Sequence, residues 1–126
     1  MTDSPMTGVT TSDAAVGPSD LDGPFALLVA TSRLLTAKYP KGRGPFERVV
    51  RLTEETGEVA EQVNIWAGTG LKRHKHGDFN PQYLAVEISD VMRAAVGIAL
   101  EFDILDLVYD EIRDRHARTV DEPATQ

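Results

Sequence analysis

The sequence has no cysteine, which excludes a disulfide framework and any thiolate chemistry. It has no uninterrupted apolar run near the roughly 18 residues that a membrane-spanning helix needs. The opening residues, MTDSPMTGVT, lack both a basic start and an apolar core, so no secretory signal is expected there. Positive charge is in short supply: 13 Lys and Arg stand against 20 Asp and Glu, a formal net charge of −7. That balance is unsuited to a nucleic acid polymer, whose phosphates are met by cations. No segment alternates apolar and polar residues at the strand period, and no internal repeat is visible. The expectation is a soluble, cytoplasmic protein with neither a membrane nor a nucleic acid polymer as partner. At 126 residues it has the length of one domain with a modest core.

What is present reads as helix. Residues 1–23 are mostly Thr, Ser, Asp, Gly and Pro, too polar to offset their own ordering entropy, and a disordered tail is expected. A first helix is predicted from Pro24 to Lys38, with Phe25, Leu28, Val29, Leu34 and Leu35 as its apolar positions. Tyr39-Pro40 ends it. Lys41 to Gly44 read as a turn, and Pro45 suits the start of a second helix that runs to Trp66. Val49, Leu52, Val59, Val63 and Trp66 lie on one stripe of that helix at helical spacing. Gly57 sits in its interior, where glycine costs about 1 kcal/mol against alanine, so a closely approaching neighbour is expected there.

A polar loop, AGTGLKRHKHGDFN, separates this helix from a third, predicted from Pro81 to Phe102. Leu84, Ile88, Val91, Ala95, Ile98 and Phe102 repeat in an a/d pattern. Val86, Met92, Val96 and Leu100 make the rest of the helix apolar too, as in a central or interface helix. A fourth helix is predicted from Leu105 to Arg118, with Leu107, Val108 and Ile112 inward, and residues 120–126 as a loose end. The fold class is all-α, a four-helix bundle over residues 24–119. So small a bundle does not close its apolar third helix alone, so a homodimer or homotetramer (a dimer of dimers) with isologous contacts is expected.

Four acidic residues stand out. Glu55 and Glu58 are spaced i, i+3 on the second helix, and Glu87 and Asp90 are spaced i, i+3 on the third. Residues three apart share a helix face. Two such helices side by side direct four carboxylates at one spot, which is untenable unless cations neutralise them. Hard divalent ions take oxygen ligands and bridge to substrate phosphates. Either pair alone is common on a solvated helix face. Glu87, flanked by Leu84, Val91 and Ile98, is hard to explain as surface decoration. Glu61 and Asp103 read as ordinary surface charges.

At these positions the chain resembles the MazG-like family of all-α nucleoside triphosphate pyrophosphohydrolases, marked by E-E-x-x-E and, after a gap, E-x-x-D. The motif reads Glu54-Glu55-Thr56-Gly57-Glu58 and Glu87-Ile88-Ser89-Asp90. Leu52 before the first half, GEVAE within it and the apolar stretch after Asp90 agree. The linker is similar to that of the dCTP pyrophosphatase subgroup, and the similarity spans about Gly44 to Arg118. The resemblance implies hydrolysis of a nucleoside triphosphate between its α and β phosphates, to the monophosphate and pyrophosphate. It implies Mg²⁺, or Mn²⁺ in its place, on Glu55, Glu58, Glu87 and Asp90. Glu54 would be an auxiliary ligand or would orient the attacking water. Bound metal lowers the pKa of water and neutralises charge on phosphoryl groups. Where the family's fourth helix often carries Lys and Asn, this chain has Arg113, Arg115 and His116.

Other residues are weighed beside these. Lys72, Arg73 and Lys75 suit phosphate oxygens, although a solubilising loop is the plainer reading. His74 and His76 lie in the same loop without an apolar anchor, which favours surface over metal binding. Trp66 offers a face to a base, but it also continues the apolar stripe, which favours core or interface. Arg93, one turn after Asp90, is in reach of a carboxylate or of a phosphate, and the bridge to a carboxylate is the plainer reading. Two rivals use the same features differently: a phosphoribosyl-ATP pyrophosphatase, and a non-catalytic helical interaction module. A di-iron bundle is disfavoured because the Glu-x-x-His pattern is absent.

Overall fold

A computed structural model describes residues 23–68 and 77–125. The expected N-terminal tail to residue 22 and the cationic loop with Lys72, Arg73, His74, Lys75 and His76 lie outside the described residues. Among the described residues the chain forms four α-helices and no strand. They are α1 (Pro24–Lys38), α2 (Pro45–Ala67), α3 (Pro81–Glu101) and α4 (Leu105–Asp121). The all-α expectation holds. The first three helices each start on proline, whose fixed φ suits the first turn and whose missing N–H leaves no donor unsatisfied. At α3 the Asn80 side chain also accepts the Gln82 N–H at 2.9 Å, a helix N-cap. Gly68 closes α2 in the left-handed region at φ 70°. Asp103 makes the α3–α4 turn with φ 52°, a conformation aspartate tolerates better than most residues.

α3 is the central element. It packs against the other three helices, most broadly against α2. The ion pair from Arg48, early in α2, to Glu101, at the end of α3, shows that these two helices run antiparallel. α1 lies along α3 as well, where the Ser32 hydroxyl donates to the Arg93 carbonyl at 3.2 Å. The main core cluster is Val29 of α1, Val96 and Ala99 of α3, and Leu105 and Tyr109 of α4, with Phe25, Leu28, Leu100 and Val108 packed around it. Phe25 meets Tyr109 edge to face at 5.1 Å, a favoured aromatic geometry.

Several inward assignments change. In α2 the face turned to α3 includes Arg48, Leu52, Glu55 and Val59, while Val49, Val63 and Trp66 are exposed. In α3 the buried residues are the small ones, Ala94, Val96, Gly97 and Ala99, while Ile88, Ala95 and Phe102 of the a/d pattern face outward. In α4 Leu105 and Tyr109 are inward, and Leu107 and Ile112 are exposed. The reason is that a helix apolar on several sides does not encode which side is covered. Close approach of the backbones favours the side with the smallest residues, and here that side won. α4 also continues to Asp121, taking in Val120 from the expected loose end. No described helix is long and apolar enough to cross a membrane.

Candidate metal centre

The antiparallel pairing of α2 and α3 sets Glu55 and Glu58 opposite Glu87. One carboxylate oxygen from each lies within 4.8 Å of the others. Glu55 and Glu87 are half-buried and Glu58 is exposed, so the cluster opens to solvent on the Glu58 side. The charges are in conflict. The Glu87 carboxyl is pushed up to about 7, first by a hydrogen bond with Glu58, then by burial, and then by the charges of Glu58, Asp90 and Glu55. Glu55 is raised too, by burial and by the charges of Asp90 and Glu58, with Arg93 opposing. Near neutrality the Glu87 carboxyl is therefore in part protonated. Such a set suits a hard divalent ion: three oxygen donors converge, and a cation removes the repulsion that the proton now relieves.

Asp90, expected as the fourth ligand, lies one turn along α3 and outside this close group. Its Oδ1 accepts from Arg93 Nη2 at 2.9 Å, the bridge that the i, i+3 spacing suggests. It still acts on Glu55 and Glu87 through its charge. Glu54 is exposed and borders, with Glu58 and Glu61, an open cleft along α2. Trp66 is 69% exposed at the end of α2 and has no part in the core. Arg113 and Arg115 are exposed on α4, paired with Asp110 at 3.7 Å and Glu111 at 3.9 Å. Neither is among the charges that act on Glu55 or Glu87. Gly57, expected to admit a neighbour, has nothing within 4 Å of where a Cβ would sit.

Sequence reasoning passed over a second charged group on the same two helices. Arg43, Arg48, Arg51 and Arg93 line one cleft with Ser32, Ala94 and Gly97. Arg48 is only 9% exposed. Its Nε donates to the Arg43 carbonyl at 2.7 Å, and its Nη2 to Thr36 Oγ1 at 3.2 Å. Arg43 closes α1, with Nε donating to the Tyr39 carbonyl at 2.8 Å. Burial and the charges of Arg51, Arg48 and Arg93 push the Arg43 guanidinium below its ordinary value. The available signal was the i, i+3 spacing of Arg48 and Arg51, with Glu55 four residues beyond. KGRG reads as a turn, and that reading hides Arg43.

Comparison of the chain with protein-family models, with curated proteins and with solved structures finds no match.

Proposed function

We propose that this chain is a Mg²⁺-dependent nucleoside triphosphate pyrophosphohydrolase of MazG-like type, working on surplus or non-standard nucleotides. The observation that carries the reading is the convergence of Glu55, Glu58 and Glu87 at the meeting of two antiparallel helices. A bound divalent ion would supply charge neutralisation and a more acidic water. The chain's own carboxylates do the rest. Glu55, Glu58 and Glu87 would hold such an ion, with Glu87, whose carboxyl is pushed up to about 7 in the ion-free chain, binding it as the carboxylate. Asp90, held by Arg93, adds negative charge one turn away and orients the outer part of the site. Glu54, exposed on the same cleft as Glu58, would orient the water that cleaves the anhydride between the α and β phosphates. The products are the monophosphate and pyrophosphate, and no covalent intermediate on the protein is required.

The four helices form the core of a bundle that a second copy completes. The apolar outer residues Ile88 and Met92 of α3, and Phe102 just past its end, are exposed in the single chain. The test is pyrophosphate release across (deoxy)nucleoside triphosphates, with Mg²⁺ and with chelator. Metal-dependent release from some of them supports the reading. No release from a folded protein, with phosphoribosyl-ATP also inert, would leave a helical interaction module.

A further inference from the structure

The arginine cleft holds more positive charge than its neighbours neutralise. Of its four guanidinium groups, Arg48 is paired with Glu101 at 3.4 Å and Arg93 with Asp90 at 2.9 Å. Arg43 and Arg51 have no carboxylate partner among the described residues. The local excess is two positive charges, in a protein whose net charge is −7. Concentrating like charge in this way is unfavourable unless an anion completes it. Gly97 contributes by absence: a Cβ there would lie 3.0 Å from Arg48 Nη1, so the missing side chain leaves space for the guanidinium. The interior of the cleft is about 20 Å³, room for a single water-sized group, so an anion held by these guanidinium groups rests at the mouth of the cleft and not inside it.

The cleft also has a fixed relation to the carboxylates. On α2, Arg51 precedes Glu55 by four residues, and on α3, Arg93 follows Asp90 by three. On α2 the cation is therefore about one helical turn, roughly 5.4 Å along the axis, from a carboxylate of the cluster, and on α3 Asp90 stands between Arg93 and Glu87. Arg93 bonds Asp90 and acts by charge on Glu55, so the two groups adjoin. We propose that the cleft of Arg43, Arg48, Arg51 and Arg93 is a phosphoryl-anion site that receives the terminal phosphates of the nucleotide, the part released as pyrophosphate. Planar guanidinium groups match phosphate oxygens in pairs. The identity of the anion rests on the proposed reaction, but the binding of an anion there does not.

The test separates the two. Inorganic pyrophosphate is titrated by calorimetry into the full chain with chelator present, so that the metal centre plays no part. The wild type binds, and Arg51→Gln, which removes an exposed charge with no carboxylate partner among the described residues, weakens binding about tenfold or more. Arg118→Gln, the same change of charge on α4, leaves it unaltered. No binding by the wild type, or equal loss in both variants at unchanged helix content, overturns the site. Under turnover conditions, pyrophosphate competes with the substrate and Arg51→Gln raises KM more than it lowers kcat. Pyrophosphate inhibition that is not competitive overturns the assignment to the substrate's phosphates. Arg51-dependent binding without any turnover would sink the proposed reaction while leaving the anion site standing. Turnover without Arg51-dependent binding would do the reverse.

Discussion

The two charged ends of the α2–α3 pair are built from the same geometry and solve opposite problems. At one end Glu55, Glu58 and Glu87 crowd together, and proton uptake at Glu87 relieves them. At the other end Arg48 is buried and satisfied by a carbonyl, a hydroxyl and Glu101, while Arg51 is exposed and has no carboxylate partner among the described residues. An arginine cannot give up its proton near neutrality, so the protein must solvate it or pair it. A glutamate can take one up, so the acidic end needs no internal cation. The contrast teaches that the acidic end is adjustable and the basic end is fixed. The first is suited to exchange an ion for a proton, and the second to position a charge.

The largest effect expected is on the acidic end. Glu58→Gln removes one ligand and should reduce Mg²⁺-dependent turnover at least about a hundredfold, with helix content intact by circular dichroism. Full activity would remove Glu58 from the metal centre. At the basic end Arg48→Ala should cost about 2–3 kcal/mol of stability in denaturant titration. The figure is below that of a fully buried pair because Glu101 is 32% exposed. A change under about 0.5 kcal/mol would mean that the pairing is incidental.

The next expectation concerns pH. Glu87 is raised in the folded chain to about 7, and Glu55 is raised in the same direction. Between the ordinary carboxylate range and about 7 the folded state therefore binds more protons than the unfolded state. The metal-free protein should lose stability as pH rises through that window and gain it as pH falls. Added Mg²⁺ should stabilise more at pH 8 than at pH 6, because the ion competes with the proton. Melting curves with and without Mg²⁺ check both signs, and an unchanged Mg²⁺ effect across the window would break the contrast drawn above. The smallest effect is at Gly57, which meets nothing within 4 Å. Gly57→Ala should stabilise the single chain by about 1 kcal/mol through helix propensity. A loss of stability instead would place a partner's backbone on that face of α2.

Helix limits were legible because proline and glycine mark them. Pro24, Pro45 and Pro81 start helices, and Gly68 ends one. The meeting of Glu55, Glu58 and Glu87 was legible because i, i+3 spacing is local geometry and needs only that the two helices be neighbours. The inward faces were less so. Ile88 and Phe102 match a heptad pattern better than Gly97 does, yet Gly97 is buried and they are not. Close approach depends on the partner helix, which no single segment contains. Asp90 shows the same limit at the site: its register suits the cluster, but Arg93, three residues on, engages it. The arginine cleft was not legible because its members come from a turn and two helices, and only the packing of α1 gathers them.

Arg48 has one more consequence, in the time domain. Its guanidinium reaches Thr36 of α1, the carbonyl of Arg43 in the α1–α2 turn, and Glu101 of α3. One side chain thus braces three segments, and none of them can open without releasing the others. Amide hydrogens around that brace should exchange together as one cooperative unit, while those of the last turns of α4, exposed throughout, exchange independently and earlier. The basic end of the molecule would then be the last part to loosen.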